Sequence, residues 1–314
     1  MHAVVVEEGA LRWAEVPDPV PREGELLLRV EATSVNRADL LQRQGHYPPP
    51  PGASDILGLE AAGTVLVGAG PYRPGDRVMA ILTGGGYAER VAVDARHALP
   101  VPTAVGLPAA GGLMEVFLTA FYDLLELGGL VAGERCLIHG GAGGVGTAAV
   151  QLAREAGAEV WTTSRASKRE RCLALGARHA LDYARDDPTE ALRAVGGAQL
   201  ILDCLGAGAL DANLRALAPD GRLVVIGLQQ GRRGTLDLGR LLSRRLRVLG
   251  STLRALPADR KAELVARFAE RVVPLFAAGR LEVVVDRVLP LRDAERAHAV
   301  LEAGEHVGKV LLVP

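Results

Sequence analysis

The chain has 314 residues, is 49% hydrophobic and carries a formal net charge of −1. That is long enough for two domains with large cores, and the balanced charge provides no global basic field to draw nucleic acid or a membrane surface. No apolar run approaches the roughly 18 residues of a membrane span, and the start, Met1-His2-Ala3-Val4-Val5-Val6-Glu7-Glu8, lacks the pattern of a signal peptide, so a cytoplasmic protein is expected.

To about residue 108 the chain reads as short apolar segments (26–30, 63–67, 77–81 and 88–93) separated by turn signals such as Arg73-Pro74-Gly75-Asp76. This predicts a compact domain of short strands. From residue 116, helices near 116–127, 145–156, 168–175, 189–195, 210–217 and 238–244 alternate with strands near 135–139, 159–163, 180–182, 200–203, 222–226 and 247–250. Six strands separated by helices predict an α/β, doubly wound parallel sheet of the Rossmann type. From about residue 257 a helix over 261–278, a strand over 282–287, a helix over 291–303 and a strand over 309–313 follow. The strands of this tail need a partner sheet, so residues 257–314 are expected to rejoin residues 1–115 around a nucleotide domain spanning 116–256.

The run from Leu137 to Gly146 carries the most specific signal. Apolar residues lead into Gly141-Ala142-Gly143-Gly144-Val145-Gly146, and a helical segment follows at once. In a G-x-G-x-x-G turn between strand and helix, the first glycine permits a tight turn. The second admits a pyrophosphate to the backbone, and the third lets the helix pack on the strand. The helix start adds N–H groups and partial positive charge for the phosphates. At the end of the next strand, an NAD site usually carries Asp or Glu for the ribose 2′-hydroxyl. Here the sequence is Thr163-Ser164-Arg165-Ala166-Ser167-Lys168-Arg169. A carboxylate would repel a 2′-phosphate, whereas Arg and Lys pair with it, so the expected coenzyme is NADPH. Cations in a first helical turn oppose the helix dipole, which makes their clustering there informative.

The three cysteines, Cys136, Cys172 and Cys204, are too dispersed for a disulfide framework or a cysteine-rich zinc site. Cys136 and Cys204 are expected as buried strand residues. His46 is expected to face solvent, and His139 to be a packed, hydrogen-bonded histidine.

Taken together, Val35-Asn36-Arg37-Ala38-Asp39-Leu40, Gly58-Leu59-Glu60-Ala61-Ala62-Gly63, Gly75-Asp76-Arg77-Val78, the glycine turn and Val307-Gly308-Lys309-Val310 occur in one order. Over almost its full length the chain resembles the zinc-independent quinone oxidoreductase (zeta-crystallin-like) group of medium-chain dehydrogenases/reductases. The stretch from Asn36 to Gly63 is especially similar to the tumour-suppressor-inducible quinone oxidoreductase and its bacterial relatives. The resemblance implies a GroES-like, mainly β catalytic domain beside the Rossmann domain. Zinc-dependent relatives carry Cys where this chain has Asn36, His where it has Leu59, and a four-Cys lobe that is absent. Glu60 alone cannot hold a catalytic metal, so no metal is expected and Glu60 is expected to be held by a neighbouring cation or backbone N–H. Without a Lewis acid to deprotonate an alcohol, reduction of an activated acceptor is the expected chemistry.

The resemblance also implies site residues. Asn36 would lie by the nicotinamide ribose or substrate pocket, against the alternative of a loop-capping amide. Tyr47, in a polyproline loop, would be a stacking wall and donor for a flat acceptor, against that of a surface aromatic. Thr119 would face the nicotinamide amide. Ser164, Arg165, Lys168 and Tyr183 would surround the 2′-phosphate. Gly227 and Leu228, then Ser251, Thr252 and Leu253, would line the nicotinamide side. His306 stands where relatives often carry Asn. No general acid is evident, so solvent is expected to deliver the proton. The leading expectation is an NADPH-dependent quinone reductase. The others are a reductase of α,β-unsaturated carbonyls or enoyl thioesters, and a non-enzymatic crystallin-like or RNA-binding protein. The near-zero charge argues against the last, with Arg232, Arg233, Arg244, Arg245 and Arg247 its one opening. Relatives commonly dimerise through the edges of their nucleotide sheets, and the alternating segment 247–253 predicts such an edge and a homodimer.

Overall fold

A computed structural model describes residues 1–314, which divide into two compact units: Met1–Leu118 with Leu253–Pro314, and Thr119–Thr252.

The first unit is built on strand Glu25–Ser34. Its Leu26, Leu28, Val30 and Ala32 alternate onto a buried face, as a half-buried strand requires. Strand order in its sheet is Val285–Pro290, Lys309–Val313, Glu25–Ser34, Glu60–Val67, Arg77–Ile81, Ala98–Pro100, and Arg90–Asp94 also pairs with Glu25–Ser34. The tail thus returns to the first sheet. Lys309–Val313 lies antiparallel to the end of Glu25–Ser34, with Leu311 opposite Ser34. That register delivers Lys309 to Val35 and Asn36. A hairpin, His2–Glu7 with Ala10–Glu15, was not legible in the sequence because its second strand is largely exposed.

Three expectations for the tail are corrected. The helix over 261–278 is two helices, Ala258–Arg271 and Val273–Ala277, because Pro274 has no N–H with which to continue the ladder. The strand over 282–287 is shifted to Val285–Pro290 by its pairing with Lys309–Val313, which begins at Val285. The helix over 291–303 starts with a tight turn, Leu291–Asp293, and Ala294–Ala303 then ends at left-handed Gly304.

The second unit holds six parallel strands: β1 (Arg135–Ile138), β2 (Glu159–Ser164), β3 (His179–Asp182), β4 (Ala198–Asp203), β5 (Leu217–Val225) and β6 (Arg247–Gly250). Their spatial order is β3-β2-β1-β4-β5-β6. The order reverses between β1 and β4, and in open sheets of this kind the crevice beyond the carboxyl ends of such strands takes the ligand. Leu137, Ile201, Leu214, Leu217 and Leu223 form the core between sheet and helices. β5 begins at Leu217, earlier than the sequence suggested, and its pairing with β4 shifts register before Arg222. Arg222 is buried. It donates to the carbonyls of Gly128 and Gly129 and binds Glu134 through two nitrogens at 2.7 and 2.8 Å. It therefore holds the end of the wider π turn Tyr122–Leu127, in which helix Met114–Phe121 continues.

Candidate functional site

The glycine turn joins β1 to helix Gly144–Glu155. A Cβ on Gly141 would overlap the Thr162 hydroxyl, and one on Gly146 would overlap the Gly140 carbonyl. Gly141 is therefore required by close approach to β2, whereas the left-handed residue of the turn is Gly140, at φ 68°. This corrects the assignment of the tight turn to Gly141. A Cβ on Gly143 would meet only the Gly140 carbonyl, at 3.3 Å, so the protein leaves that face open. Ala142 is buried, whereas Gly144 and Val145 are half-buried in the first helical turn, whose N–H groups have no acceptor within the helix. The turn is locked from below. The Gly141 N–H donates to the Thr163 carbonyl at 3.0 Å. His139 touches Thr163 Oγ1 at 3.1 Å through Nδ1 and Asn213 Oδ1 at 2.7 Å through Nε2. Burial lowers the pKa of His139, so it is a packed neutral histidine.

At the end of β2, Ser164 is buried and Arg165 is exposed, with Arg165 Nε 3.0 Å from the Tyr183 hydroxyl. The Tyr183 N–H donates to the Ser164 carbonyl at 3.2 Å. Ser164, Arg165 and Tyr183 therefore meet at one corner, and Lys168 closes the short turn that follows, donating its N–H to the Arg165 carbonyl. The neighbouring acid, Asp182, points into its own loop and accepts from the Ala184 N–H at 3.1 Å. Gly227 packs tightly on the Cys204 backbone, and Leu228 is 56% exposed. Cys136 is buried as expected, but Cys204 lies past the end of β4 and is half-buried, because the strand ends at Asp203. Asp203 turns the chain there by accepting the N–H groups of Leu205 and Gly206.

Thr119 is half-buried on helix Met114–Phe121. Four residues on, Asp123 is fully buried. Neither of its oxygens has a partner within full hydrogen-bond geometry. Burial raises its pKa to about 7, and the Ser251 hydroxyl offsets this only in part. Ser251 continues from β6, its N–H donating to the Val225 carbonyl.

The first unit carries a second set. Asn36 is the N-cap of helix Arg37–Arg43, and its N–H donates to Asp39 Oδ2 at 2.7 Å. The amide oxygen accepts from Lys309 Nζ at 2.6 Å, and the amide nitrogen donates to Glu60 Oε1 at 3.2 Å. Glu60 is 1% exposed and Lys309 2% exposed. Lys309 Nζ lies 3.1 Å from Glu60 Oε1, the Ser34 hydroxyl donates to the same oxygen at 2.5 Å, and the Glu115 N–H donates to Oε2 at 3.0 Å. Glu60 is thus held by both a cation and a backbone N–H. Burial, then the Glu60 charge, push Glu115 up to about 8. Asp39 accepts from the N–H groups of Asn36 and Gly58 and from the Tyr87 hydroxyl, and burial still raises it to about 6. Tyr47 is half-buried, with the Arg254 guanidinium 5.2 Å from its ring centre. His46 is exposed, Leu253 is buried, and His306 is buried beside the loop in which the Val307 N–H meets Asp286.

Sequence reasoning did not single out Lys309, Glu115, Asp123, Arg254 or Lys261 as site residues. A signal for two of them was available. Lysine occurs only at 168, 261 and 309 in an arginine-rich chain, and Lys261 and Lys309 are 1% and 2% exposed. The arginine cluster near β6 is partly neutralised. Arg245 binds Asp220 through two nitrogens, and Arg244 donates to the Leu217 carbonyl.

Two family models match: "Alcohol dehydrogenase GroES-like domain" over residues 22–103 and "Zinc-binding dehydrogenase" over residues 144–270. The zinc of that second description has no donor set here, since no group of three or more His, Cys, Asp or Glu could hold a metal ion. The chain is 32% identical to the human (Homo sapiens) synaptic vesicle membrane protein VAT-1 homolog, over 94% of this chain and 80% of that protein. It is 37% identical, over 92% of its own length, to 13% of the spectinabilin polyketide synthase system protein NorB of Streptomyces orinoci. Among solved structures, mycobacterial Rv1454c complexed with NADPH superposes with a TM-score of 0.90 at 34% identity, covering all of both chains. No helix is long and apolar enough to cross a membrane. A GroES-like unit, a Rossmann unit and full-length relatives above 30% identity all agree, and the chain belongs to the medium-chain dehydrogenase/reductase family, as an oxidoreductase of its quinone oxidoreductase-like group.

Proposed function

We propose that this protein is an NADPH-dependent quinone reductase acting without a metal. The observation that carries the coenzyme choice is the corner where Ser164, Arg165 and Tyr183 meet, with Lys168 in the next turn and the carboxylate beside it, Asp182, engaged with its own loop. Two cations and two hydroxyls suit a 2′-phosphate. The glycine turn fits the pyrophosphate, because only the Gly140 carbonyl, at 3.3 Å, would meet a Cβ on Gly143 and the helix start supplies N–H groups. Similarity to a mycobacterial structure solved with NADPH and to a mycobacterial quinone oxidoreductase structure (TM-score 0.86, 34% identity) supports this reading.

Bound NADPH would supply the hydride. The chain's own residues would bind and orient. Thr119, Gly227, Leu228, Ser251, Leu253 and His306 are the residues we assign to the nicotinamide. Asn36, immobilised by Lys309 and Glu60, would present a fixed amide. Tyr47 would give the flat acceptor a wall and a donor. The cation that zinc provides in other members is replaced by the Lys309 ammonium, which neutralises Glu60 but has no open coordination position. Alcohol oxidation is disfavoured on that ground, and an acceptor already activated for hydride addition is preferred, with solvent returning the proton. We further place the enzyme in the cytoplasm, where its three cysteines stay free, as a homodimer joined at β6.

The relatives within polyketide synthases favour one second reading, reduction of an enoyl thioester. Steady-state rates with a benzoquinone, a naphthoquinone, an alkenal and an enoyl thioester separate the two. The coenzyme assignment is tested by Arg165→Ala and Lys168→Ala. Each should weaken NADPH by about 1.5–3 kcal/mol, one charged hydrogen bond, and leave NADH nearly unchanged. Equal losses for both coenzymes would remove it.

A further inference from the structure

The loop that carries Tyr47 is not left to hold itself. Arg254 is only 5% exposed although it carries a full charge. Its Nε donates to the Thr83 carbonyl at 2.8 Å, one terminal nitrogen to the Tyr47 carbonyl at 3.3 Å, and the other to Gln42 Oε1 at 2.8 Å. The same guanidinium lies 5.2 Å from the centre of the Tyr47 ring, within cation–π range. One side chain therefore holds Tyr47 by both backbone and ring. Gln42 extends the hold, because its amide nitrogen donates to the Asp55 carbonyl at 3.0 Å and so ties down the far end of the proline-rich segment.

Arg254 is itself braced. Lys261, 1% exposed, donates Nζ to the Arg254 carbonyl at 3.2 Å. Burying two cations is expensive unless their N–H groups are hydrogen-bonded, as they are here, and a planar fork serving three acceptors and a ring is an arrangement lysine cannot provide. We propose that Arg254 is a positioning residue, braced by Lys261, that clamps the Tyr47 loop and so sets the width of the flat acceptor the enzyme accepts. The proposal rests on the reading that Tyr47 walls the acceptor.

The test uses the full-length protein with Arg254→Met, Arg254→Lys, Gln42→Leu, Tyr47→Ala and the Arg254→Met/Tyr47→Ala pair. Hydrogen exchange over residues 42–56 reads the clamp without any substrate. Faster exchange is expected in Arg254→Met, with only partial rescue by Arg254→Lys. Kinetically, Arg254→Met should lower kcat/KM for the quinone on the order of 10²-fold. The loss should be carried by acceptor KM and differ between benzoquinone and naphthoquinone, with NADPH affinity by fluorescence titration unchanged. The double variant should be no worse than Tyr47→Ala alone. Should Arg254→Met fail to fold, Gln42→Leu, which removes one arm and keeps the cation, should show the same pattern more weakly. Unchanged exchange in the variants that fold overturns the clamp. Multiplicative losses in the double variant overturn action through Tyr47. Faster exchange with a kinetically silent Tyr47→Ala overturns the proposal through its premise.

Discussion

Replacing Lys309 by Met tests the account of the zinc-less cluster most directly. The ammonium is 2% exposed and donates to Asn36 Oδ1, the Val35 carbonyl and Glu60 at 2.6, 3.2 and 3.1 Å. Removing it leaves the Glu60 carboxylate buried with only neutral donors, namely the Ser34 hydroxyl, the Asn36 amide and the Glu115 N–H. Breaking a buried ion pair from one side costs about 3–5 kcal/mol, and these three donors place the loss at the lower end, about 3 kcal/mol. For a unit of this size about 2–4 °C accompanies each kcal/mol, so its calorimetric transition should fall by roughly 6–12 °C at pH 7. Glu60→Gln added to Lys309→Met removes the orphaned charge and should recover most of the loss, because discharging both partners is far less costly than stranding one. Calorimetry is the right assay, since two units can melt separately. A single variant within about 2 °C of wild type, or a double variant no better than the single, would refute the argument that charge neutralisation holds this cluster together.

Other outcomes follow from the same geometry. Asp123 sits at about 7 in the fold against an ordinary 3.8. Between those values the folded chain keeps a proton that the unfolded chain has released, so stability falls as pH rises through that window. Asp123→Asn should match wild type near pH 4 and melt progressively higher than it toward pH 8, and a constant difference across pH would contradict this. Gly146→Ala drives a Cβ into the Gly140 carbonyl and should lower both Tm and coenzyme affinity, whereas Gly143→Ala should keep Tm and lose affinity. Paired calorimetry and fluorescence titration distinguish the two, and a Gly143→Ala variant that binds NADPH normally would count against the open face. β6 lies at the sheet edge with Val248 39% and Leu242 82% exposed. Light scattering of the wild type at micromolar concentration should give a dimer mass, and Leu242→Glu with Val248→Lys a monomer mass. A wild-type monomer ends the edge-pairing proposal.

Much of the second unit is local physics, and local physics is written in the chain. Apolar runs of four to six residues, glycine turns and helix periodicity located all six parallel strands within a few residues, and β6 at its observed bounds. That positions 36 and 59 hold Asn and Leu, neither a zinc-ligand type, is likewise sequence information, because a coordination shell is set by residue type. What the sequence could not reveal depends on register. Lys309 meets Glu60 only because Lys309–Val313 adds itself antiparallel to Glu25–Ser34, a strand far away in sequence, with Leu311 opposite Ser34. Arg254 reaches Tyr47 only when the returning chain lays it against Thr83 and Gln42. Charges become informative when they are buried, and burial is a property of the assembled sheet rather than of any window along the chain. Residue types thus determined that no metal-ligand set is present and that two cations follow Ser164, while long-range pairing alone decided which buried charges meet which partners, Lys309 with Glu60 and Arg254 with the Tyr47 carbonyl.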